Sequence, residues 1–502
     1  MIALQSLRLR LDPTDIKTLI QHPLLSTPPK RRRIHLTRFD TPEQALAQLG
    51  ISIDETRVLR KTTLTVRQTI AAKNAPEVLH EWSAPTTPGT FDFATLIDAP
   101  ETAEQLSGFA GALTPLFTID AGQRQWSVQI RSAQVDVILE DGTLSTEINA
   151  DNADNADNAD NAQRSTQLCE VELRLNSGQP AALFGVARLL SRQVRLHPIR
   201  DSLMQRALAF SNEERRAPVK ARRVRIDAKD SAVGVFKHVA WHCLDQLQAN
   251  EDGVFTPDNV EFIHQARVAL RRLRTALRLF NNELPVGYSD KWCQAWRDVG
   301  EQLGNARNWD VFCSDMLPAI AADLGDHPDV IHLKEFAQQK REEAHQQTQQ
   351  WLHGRRYSLT LIAFCEALLT LPETKSNRID SFADKALKKR HNRFCRGARV
   401  AHTLTGEERH EVRIDLKKLR YTLDFFESLY PQKQLQPFLH GLAETQELLG
   451  HMNDLVTGEM LLTLRPGNPF DLPVAWTKGK MTAYLEMLPS ALQPVLNAKT
   501  PW

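Results

Sequence analysis

The sequence predicts an α+β protein, an antiparallel β-sheet or β-barrel followed by an all-α domain of two related helical bundles. Three observations predict it. Strand-like alternation runs through roughly the first 210 residues. Helical apolar spacing takes over after about residue 230. One basic helical segment then occurs twice, 146 positions apart.

The alternating segments are "SLRLRL", "IHLTRF", "TLTVRQT", "WSVQIRS", "VDVILED" and "CEVELRL". Each puts apolar side chains on one face of a strand. "TPEQALAQLG" and "AALFGVARLLSRQ" lie between them with helical spacing. These elements define a first domain, residues 1–210. The basic stretch "RRAPVKARRVRI" (215–226) marks a linker over 211–229. Helical spacing with few glycines or prolines then defines a second domain over 230–463. "RPGNPFDLP" (465–473) closes it, and the tail 464–502 is expected to add one short helix. The low-complexity "DNADNADNADNA" (151–162) can build no core. It shows neither EF-hand nor glycine-rich calcium-repeat spacing, so it reads as a hairpin loop.

Composition sets the class. The chain of 502 residues is long enough for two or three cores. With 42% hydrophobic and 25% charged residues it reads as soluble and globular. The net charge is +1, and residues 1–230 carry 29 basic against 28 acidic side chains. An anion site must therefore come from local arrangement. Cys169, Cys243, Cys293, Cys313, Cys365 and Cys395 are scattered without a C-x-x-C pair, which argues against a zinc site or a disulfide framework. "MIALQSLRLRLDP" lacks the apolar stretch of a signal peptide, and no apolar run nears the roughly 20 residues of a membrane span. A reducing cytoplasm is expected.

The repeat carries the functional signal. "HQARVALRRLRTALRLF" (264–280) recurs as "HEVRIDLKKLRYTLDFF" (410–426), identical at seven of 17 positions. At the same offset "EQLGNARNWD" (301–310) aligns with "ELLGHMNDLV" (447–456). Two ungapped matches at one offset indicate a duplicated helical unit. At about 100° per residue, His264, Arg267, Arg271, Arg274 and Arg278 share one arc of a helix. Leu270, Leu273, Leu277 and Phe280 fill the next arc. His410, Arg413, Lys417 and Arg420 form the same stripe in the second copy, where Asp424 replaces Arg278.

A salt-bridged surface would place Glu or Asp three or four residues from each arginine. Residues 264–280 contain neither. Like charges on one arc repel each other unless an anion compensates them, so the stripe points to anion binding. Arginine forks and a stripe of several turns suit a string of phosphates. The stripes lack interleaved aromatics, which counts against nucleic acid. His264 and His410 have no carboxylate or cysteine at ligand spacing, which favours phosphate donors or packing over a metal.

These paired motifs resemble the CHAD family, the conserved-histidine α-helical domain, over about residues 230–463. The resemblance implies two pseudo-symmetric four-helix bundles whose basic residues line a central cavity and bind inorganic polyphosphate. Carried over by position, it implies His264, Arg267, Arg271, Arg272, Arg274 and Arg278 as ligand residues. His410, Arg413, Lys417, Lys418, Arg420 and Tyr421 follow in the second copy. "DKALKKRHNRFCRGAR" is similar to the family's basic helix and adds Lys388, Lys389, Arg393 and Arg396.

Most of residues 1–210 resembles the CYTH family, the triphosphate tunnel metalloenzymes, which often precede a CHAD domain in bacteria. "LTRFDTPEQALAQLGISI" (36–53), "VDVILEDGTL" (135–144), "CEVELRLNSGQPAALFGVARLL" (169–190) and "LHPIRDSLMQRALAF" (196–210) carry the likeness. It implies a closed antiparallel β-barrel whose tunnel holds triphosphate and a divalent metal. The chain departs from the pattern where it matters. The family's E-x-E-x-K reads Ser6-Leu7-Arg8-Leu9-Arg10, and its L-R-x-R reads Ile53-Asp54-Glu55-Thr56. Thr65-Val66-Arg67 keeps the T-L-K position with a conservative change. Glu170 and Glu172 remain as metal ligands, for Mg or Mn, only if this domain is active. Arg8 and Arg10 share one strand face, and Arg31, Arg33 and His35 another. They hold phosphate without metal, or are solvated strand faces.

The expectation is a cytoplasmic polyphosphate-binding protein on polyphosphate granules, with no required cofactor and no membrane or nucleic-acid partner. The alternative is a metal-dependent inorganic triphosphatase acting through the N-terminal tunnel. A third reading is a scaffold whose basic stripe meets an acidic protein.

Overall fold

The computed structural model describes residues 6–70, 78–147, 163–201, 203–211, 216–256, 260–372, 378–465 and 470–502. The D-N-A repeat at 151–162, read as a hairpin loop, lies outside them, as does part of the linker. The chain is mixed α+β, with an antiparallel sheet first and helices after it. It divides into two compact units. Unit 1 is Met1–Arg216 with Gly354–Thr370, and unit 2 is Ala217–His353 with Leu371–Trp502.

Unit 1 contains, in chain order, β1 (Ser6–Leu11), α1 (Ile16–Ile20), β2 (Lys30–Asp40), α2 (Ala45–Gln48), β3 (Ile51–Val58), β4 (Lys61–Ile70) and β5 (Val78–Thr86). Next come α3 (Phe93–Leu96), α4 (Pro100–Phe109), β6 (Thr114–Ile130), β7 (Ala133–Glu147), β8 (Gln163–Ser177), α5 (Ala181–Leu190), β9 (Leu196–Pro198) and α6 (Leu203–Ser211). Unit 2 begins with α7 (Ala232–Glu251), α8 (Val260–Leu279), α9 (Tyr288–Val311), α10 (Leu317–Leu324) and α11 (Pro328–Leu352). Then α12 (Arg355–Thr370) returns to unit 1. Unit 2 resumes with α13 (Ile379–Ala398), α14 (Gly406–Phe426), α15 (Gln432–Leu462) and α16 (Asp471–Asn497).

The strands of unit 1 form one antiparallel sheet in the order β5-β4-β3-β2-β6-β7-β8-β1-β9. Alternation in β1 buries Leu7, Leu9 and Leu11 and leaves Arg8 and Arg10 on the other face. The partner residues Val171, Leu173 and Val137 are buried with them, and α5 packs across β1, β7 and β8. The barrel expected from the CYTH resemblance does not close. Among the described residues β5 and β9 are open edges, each with one neighbour. The physical reason lies at β9. It is three residues long and ends in Pro198, which has no N–H to extend a ladder. Helix α12 engages its middle residue. His197 Nδ1 lies 3.0 Å from Ser358 Oγ, and the ring stacks on Tyr357 at 5.7 Å. Arg188 Nε of α5 donates to Glu366 of α12 at 2.6 Å, so α12 is anchored in unit 1 although it lies inside the helical stretch of the sequence.

In unit 2 the two copies of the repeat are α8 and α14. Each follows a 20-residue helix, α7 or α13. Each ends in a 3-10 turn and leads into a longer helix, α9 or α15. Thr405 and Glu408 form a reciprocal capping box that starts α14. The buried flank of α8 is Leu270, Leu273 and Leu277, and that of α14 is Leu416, Leu419 and Leu423. The last identical pair of the repeat, Phe280 and Phe426, meets edge to face at 6.2 Å. The tail differs from the short helix expected. Helix α16 has 27 residues and runs through Pro489 and Pro494. Leu488, Leu492 and Val495 bury against its neighbours, and Lys480 pairs with Asp323 at 3.0 Å. Those contacts offset the hydrogen bonds that the prolines remove.

Candidate anion-binding site

The two basic stripes meet in one cavity of about 630 Å³ inside unit 2. Helix α8 contributes His264, Arg267, Arg271 and Arg272, and α14 contributes His410, Arg413, Lys417, Arg420 and Tyr421. The apolar flanks fix both helices in the core, so the adjacent arcs are forced to face each other. Six cations from these two helices, with Arg307 of α9 as a seventh, line a space that holds two carboxylates, Asp424 and Asp454.

Neighbouring helices complete the walls. Arg307 and Asn308 of α9 and Asn453 and Asp454 of α15 line the cavity. None was singled out in the sequence, yet the signal was present. At the offset of 146, Arg307 aligns with Asn453 and Asn308 with Asp454. Val311 and Phe312 align in the same way with Thr457 and Gly458, and all four line the space. A π-helical turn at Phe312–Met316 follows α9 and brings Phe312 and Met316 to the wall.

Electrostatics inside are dominated by burial and like charge. Arg267 is pushed down to about 9 by burial, with Arg271, Arg307 and Arg413 adding repulsion. Burial lowers Lys417 well below its ordinary value, and Arg271 and Arg413 lower it further. Arg413 is lowered by burial, against the attraction of Asp454. Burial and then Arg307 push His264 down to about 4, so its ring is neutral near pH 7. Three guanidinium atoms, Arg267 Nη1, Arg271 Nε and Arg413 Nε, are buried without a hydrogen-bond partner among the described residues. Buried charged donors in that state are costly, and an oxyanion among them would relieve them. His410 Nδ1 sits 2.7 Å from Asn453 Oδ1, which orients that ring.

Other predicted residues have different surroundings. Arg272 lines the cavity, but its Nη1 donates to Asp424 Oδ2 at 3.2 Å and its guanidinium lies over the Phe425 ring. That pairing gives Asp424, the residue replacing Arg278 in the second copy, its role. Arg274 and Arg278 do not line the cavity. Burial lowers Arg274, with Arg278 beside it, and Arg278 is exposed. Lys418 and Arg393 both pair with Asp415, at 3.4 and 2.7 Å. Lys388, Lys389 and Arg396 lie exposed on α13, outside the cavity.

In unit 1 the predicted metal ligands are engaged. Glu170 Oε2 and Glu172 Oε2 lie 3.4 and 3.1 Å from the guanidinium of Arg8, and Glu140 Oε2 lies 2.9 Å from it. As they stand, these carboxylates do not fit a divalent cation. Among the described residues, no group of three or more His, Cys, Asp or Glu is poised to hold a metal. Arg31, Arg33 and His35 sit on β2, where Arg33 pairs with Asp120 at 2.8 Å and Arg31 faces Arg124 across the strands.

Residues 238–463 match the sequence model of the CHAD domain family. This stretch is a CHAD domain. It spans less than half of the chain, and it includes α12, which packs in unit 1. The CHAD domain of the plant Ricinus communis is similar at 28% identity with a TM-score of 0.49, covering 57% of this chain and 99% of that one. PptA from Streptomyces chartreusis matches at 17% identity with a TM-score of 0.40, covering 53% and 97%. HpAC1 from Hippeastrum, an adenylyl cyclase by name with a dominant triphosphatase activity, matches at 11% identity with a TM-score of 0.29, covering 41% and 95%. No curated protein matches the chain. No helix among the described residues is long and apolar enough to cross a membrane.

Gly304, in the CHAD motif "LGNARNWD", sets the position of Arg267. A methyl group at 304 would collide with Arg267 Nη1, the mobile end of a long side chain. Gly304→Ala should therefore fold with unchanged or slightly higher thermal stability, because alanine favours helix. Its affinity for a polyanion should fall about tenfold. Parallel melting curves and binding isotherms check both, and unchanged affinity would contradict the positioning role.

Proposed function

We propose that the CHAD domain binds inorganic polyphosphate in the cavity between α8 and α14, and that the protein is a cytoplasmic component of polyphosphate granules. One observation supports this reading above the others. Cations from both copies of the repeat face a single space, and their buried N–H groups lack acceptors. A chain of phosphates supplies many acceptors and many negative charges at once. Successive stripe residues are one helical turn apart, about 5.4 Å, so each turn can meet a fresh phosphate. The two walls then correspond to two pseudo-symmetric four-helix bundles. Binding is multivalent and releases condensed counterions, so it should weaken steeply with salt.

The triphosphatase reading has less support. It requires metal at a carboxylate set that holds Arg8 instead. Unit 1 is best read as a CYTH-like sheet without a working metal centre. Titrating the full chain with long-chain polyphosphate, while assaying triphosphate with Mn²⁺ for phosphate release, separates the two readings. Binding without release is expected.

Arg267→Ala, Arg271→Ala, Arg413→Ala and Lys417→Ala should each lower polyphosphate affinity roughly 10- to 100-fold, the worth of a charge-assisted contact. Each should also reduce the salt slope by about one, with the melting temperature kept or raised. Parent-like affinity in all four would remove the cavity as the binding site.

A pH dependence follows from the depressed lysine. An anion stabilises its charged form, so binding raises the pKa of Lys417 from its lowered value. Complex formation then takes up a proton, and affinity falls as pH rises through the range in which free Lys417 loses its proton. Calorimetry at several pH values, each in two buffers of different ionisation enthalpy, measures the uptake directly. Zero uptake at every pH would show that Lys417 does not meet the anion.

A further inference from the structure

Lys417 differs in kind from the cations around it. Among the described residues lining the cavity of unit 2, six arginines surround this single lysine. At the offset of 146 its counterpart in the first copy is Arg271. A guanidinium keeps its proton in a protein, whereas a buried lysine readily gives its proton up. Arg413 lies one turn before Lys417 on α14, and Arg271 and Arg267 of α8 repel it. Asp454 of α15 attracts it without forming an ion pair. Among the described residues, Lys417, Arg271 and Arg413 have no hydrogen-bond or ion-pair partner. Burial and the neighbouring arginines both disfavour the ammonium form. Desolvation beside other cations is also what activates a lysine amine as a nucleophile. The same cluster lacks acceptors, because Arg271 Nε and Arg413 Nε are buried without any. A group that joined the amine and brought oxygens with it would remove one cation and supply those acceptors. Carbon dioxide is the smallest such group.

We propose that Lys417 is a carbon dioxide site, at which the side-chain amine takes up CO2 reversibly as a carbamate among Arg271, Arg413 and Arg267. The lone pair of Nζ attacks the carbon. The N–C bond forms as one C–O π bond breaks, the π pair stays on oxygen, and nitrogen releases one proton to solvent. Nothing is oxidised or reduced, and no further reactant is needed. The product carries a negative charge and two acceptor oxygens, so charge-assisted hydrogen bonds replace repulsion. The cavity, at about 630 Å³, has room for the three added atoms. Arg271, at the equivalent place in the first copy, stays charged and cannot react in this way. Lys388 and Lys389 are exposed on α13 and lack the burial that activates Lys417. The inference rests on the geometry of the cavity and is independent of polyphosphate binding. The two ligands oppose each other, because a bound polyanion recharges the amine that CO2 requires neutral.

The test uses the full chain in mildly alkaline buffer containing carbon-13 bicarbonate. Carbamates are trapped as alkyl esters with a trialkyloxonium salt and located by peptide mapping. Lys417 should carry the trapped group at about tenfold the occupancy of Lys388 and Lys389. Carbon-13 NMR should show a carbamate resonance that Lys417→Arg lacks. Arg413→Ala should lower the occupancy severalfold, since it removes both a donor and a charge that keeps the amine neutral. Mapping reads the parent protein, so the result does not depend on a variant folding. A parent without carbamate at Lys417, or with Lys388 and Lys389 modified equally, overturns the inference. A polyphosphate isotherm on the same sample keeps the two readings apart. Carbamate without polyphosphate binding supports this site and removes the proposed function, and polyphosphate binding without carbamate does the reverse.

Discussion

Repulsion among buried cations is the constraint that the helical unit is built to withstand. Arg267, Arg271, Arg307, Arg413 and Lys417 each lie close enough to others in the set to raise the cost of charge. Nothing in the stripes themselves holds those side chains together. The force comes from the adjacent arcs, where Leu270, Leu273 and Leu277 and their counterparts Leu416, Leu419 and Leu423 are almost completely buried. Each such side chain contributes about 1.5–3 kcal/mol when removed from water. The contact of Phe280 with Phe426 ties the ends of the two helices together. The apolar arc is therefore what makes the basic arc possible, and the two must be adjacent on one helix for the cavity to exist.

Unit 1 handles buried charge in the opposite way. Its polar sheet face carries both signs in alternation, and its ion pairs close on one another. Arg8 meets three glutamates and Asp54 meets two arginines. Such a face needs no external ion. A chain with net charge +1 thus contains one self-neutralised surface and one that is strongly unbalanced. Bulk charge conceals the difference because the acids that balance the count are elsewhere.

The parts legible in the sequence were those with a local period. Strand alternation, helical spacing and the 146-residue repeat depend on neighbours within a few turns, and the stripes of α8 and α14 follow from angle alone. Contacts between distant residues were not legible. Arg272 and Asp424 are 152 residues apart, so nothing near Arg272 marks it as already paired. Arg8 reads as a lost ligand in the strand pattern, yet its partners lie 132 to 164 residues away. The open sheet edge depended on α12 engaging β9, and α12 lies inside the helical stretch with no local mark of its other attachment. Arg307 and Asp454 stand between the two cases. The repeat aligns Arg307 with Asn453 and Asp454 with Asn308, but in each pair one residue is charged and the other is not, so no identity marked them.

That divergence makes the two walls unequal. The first copy supplies Arg267, Arg271 and Arg307 to the wall, and Asn308 sits where the second copy has Asp454. The second copy supplies Arg413, Lys417 and Arg420, but adds Asp424 and Asp454 and replaces Arg307 with Asn453. Duplication would have produced two equal basic walls. Substitution then added Asp454, which attracts Arg413 and Lys417, and Asp424, which takes up Arg272 of the first copy. Both walls nevertheless keep donors without acceptors: Arg267 Nη1 and Arg271 Nε from the first copy and Arg413 Nε from the second. The divergence has changed the balance of charge between the copies and left unpaired guanidinium groups on each.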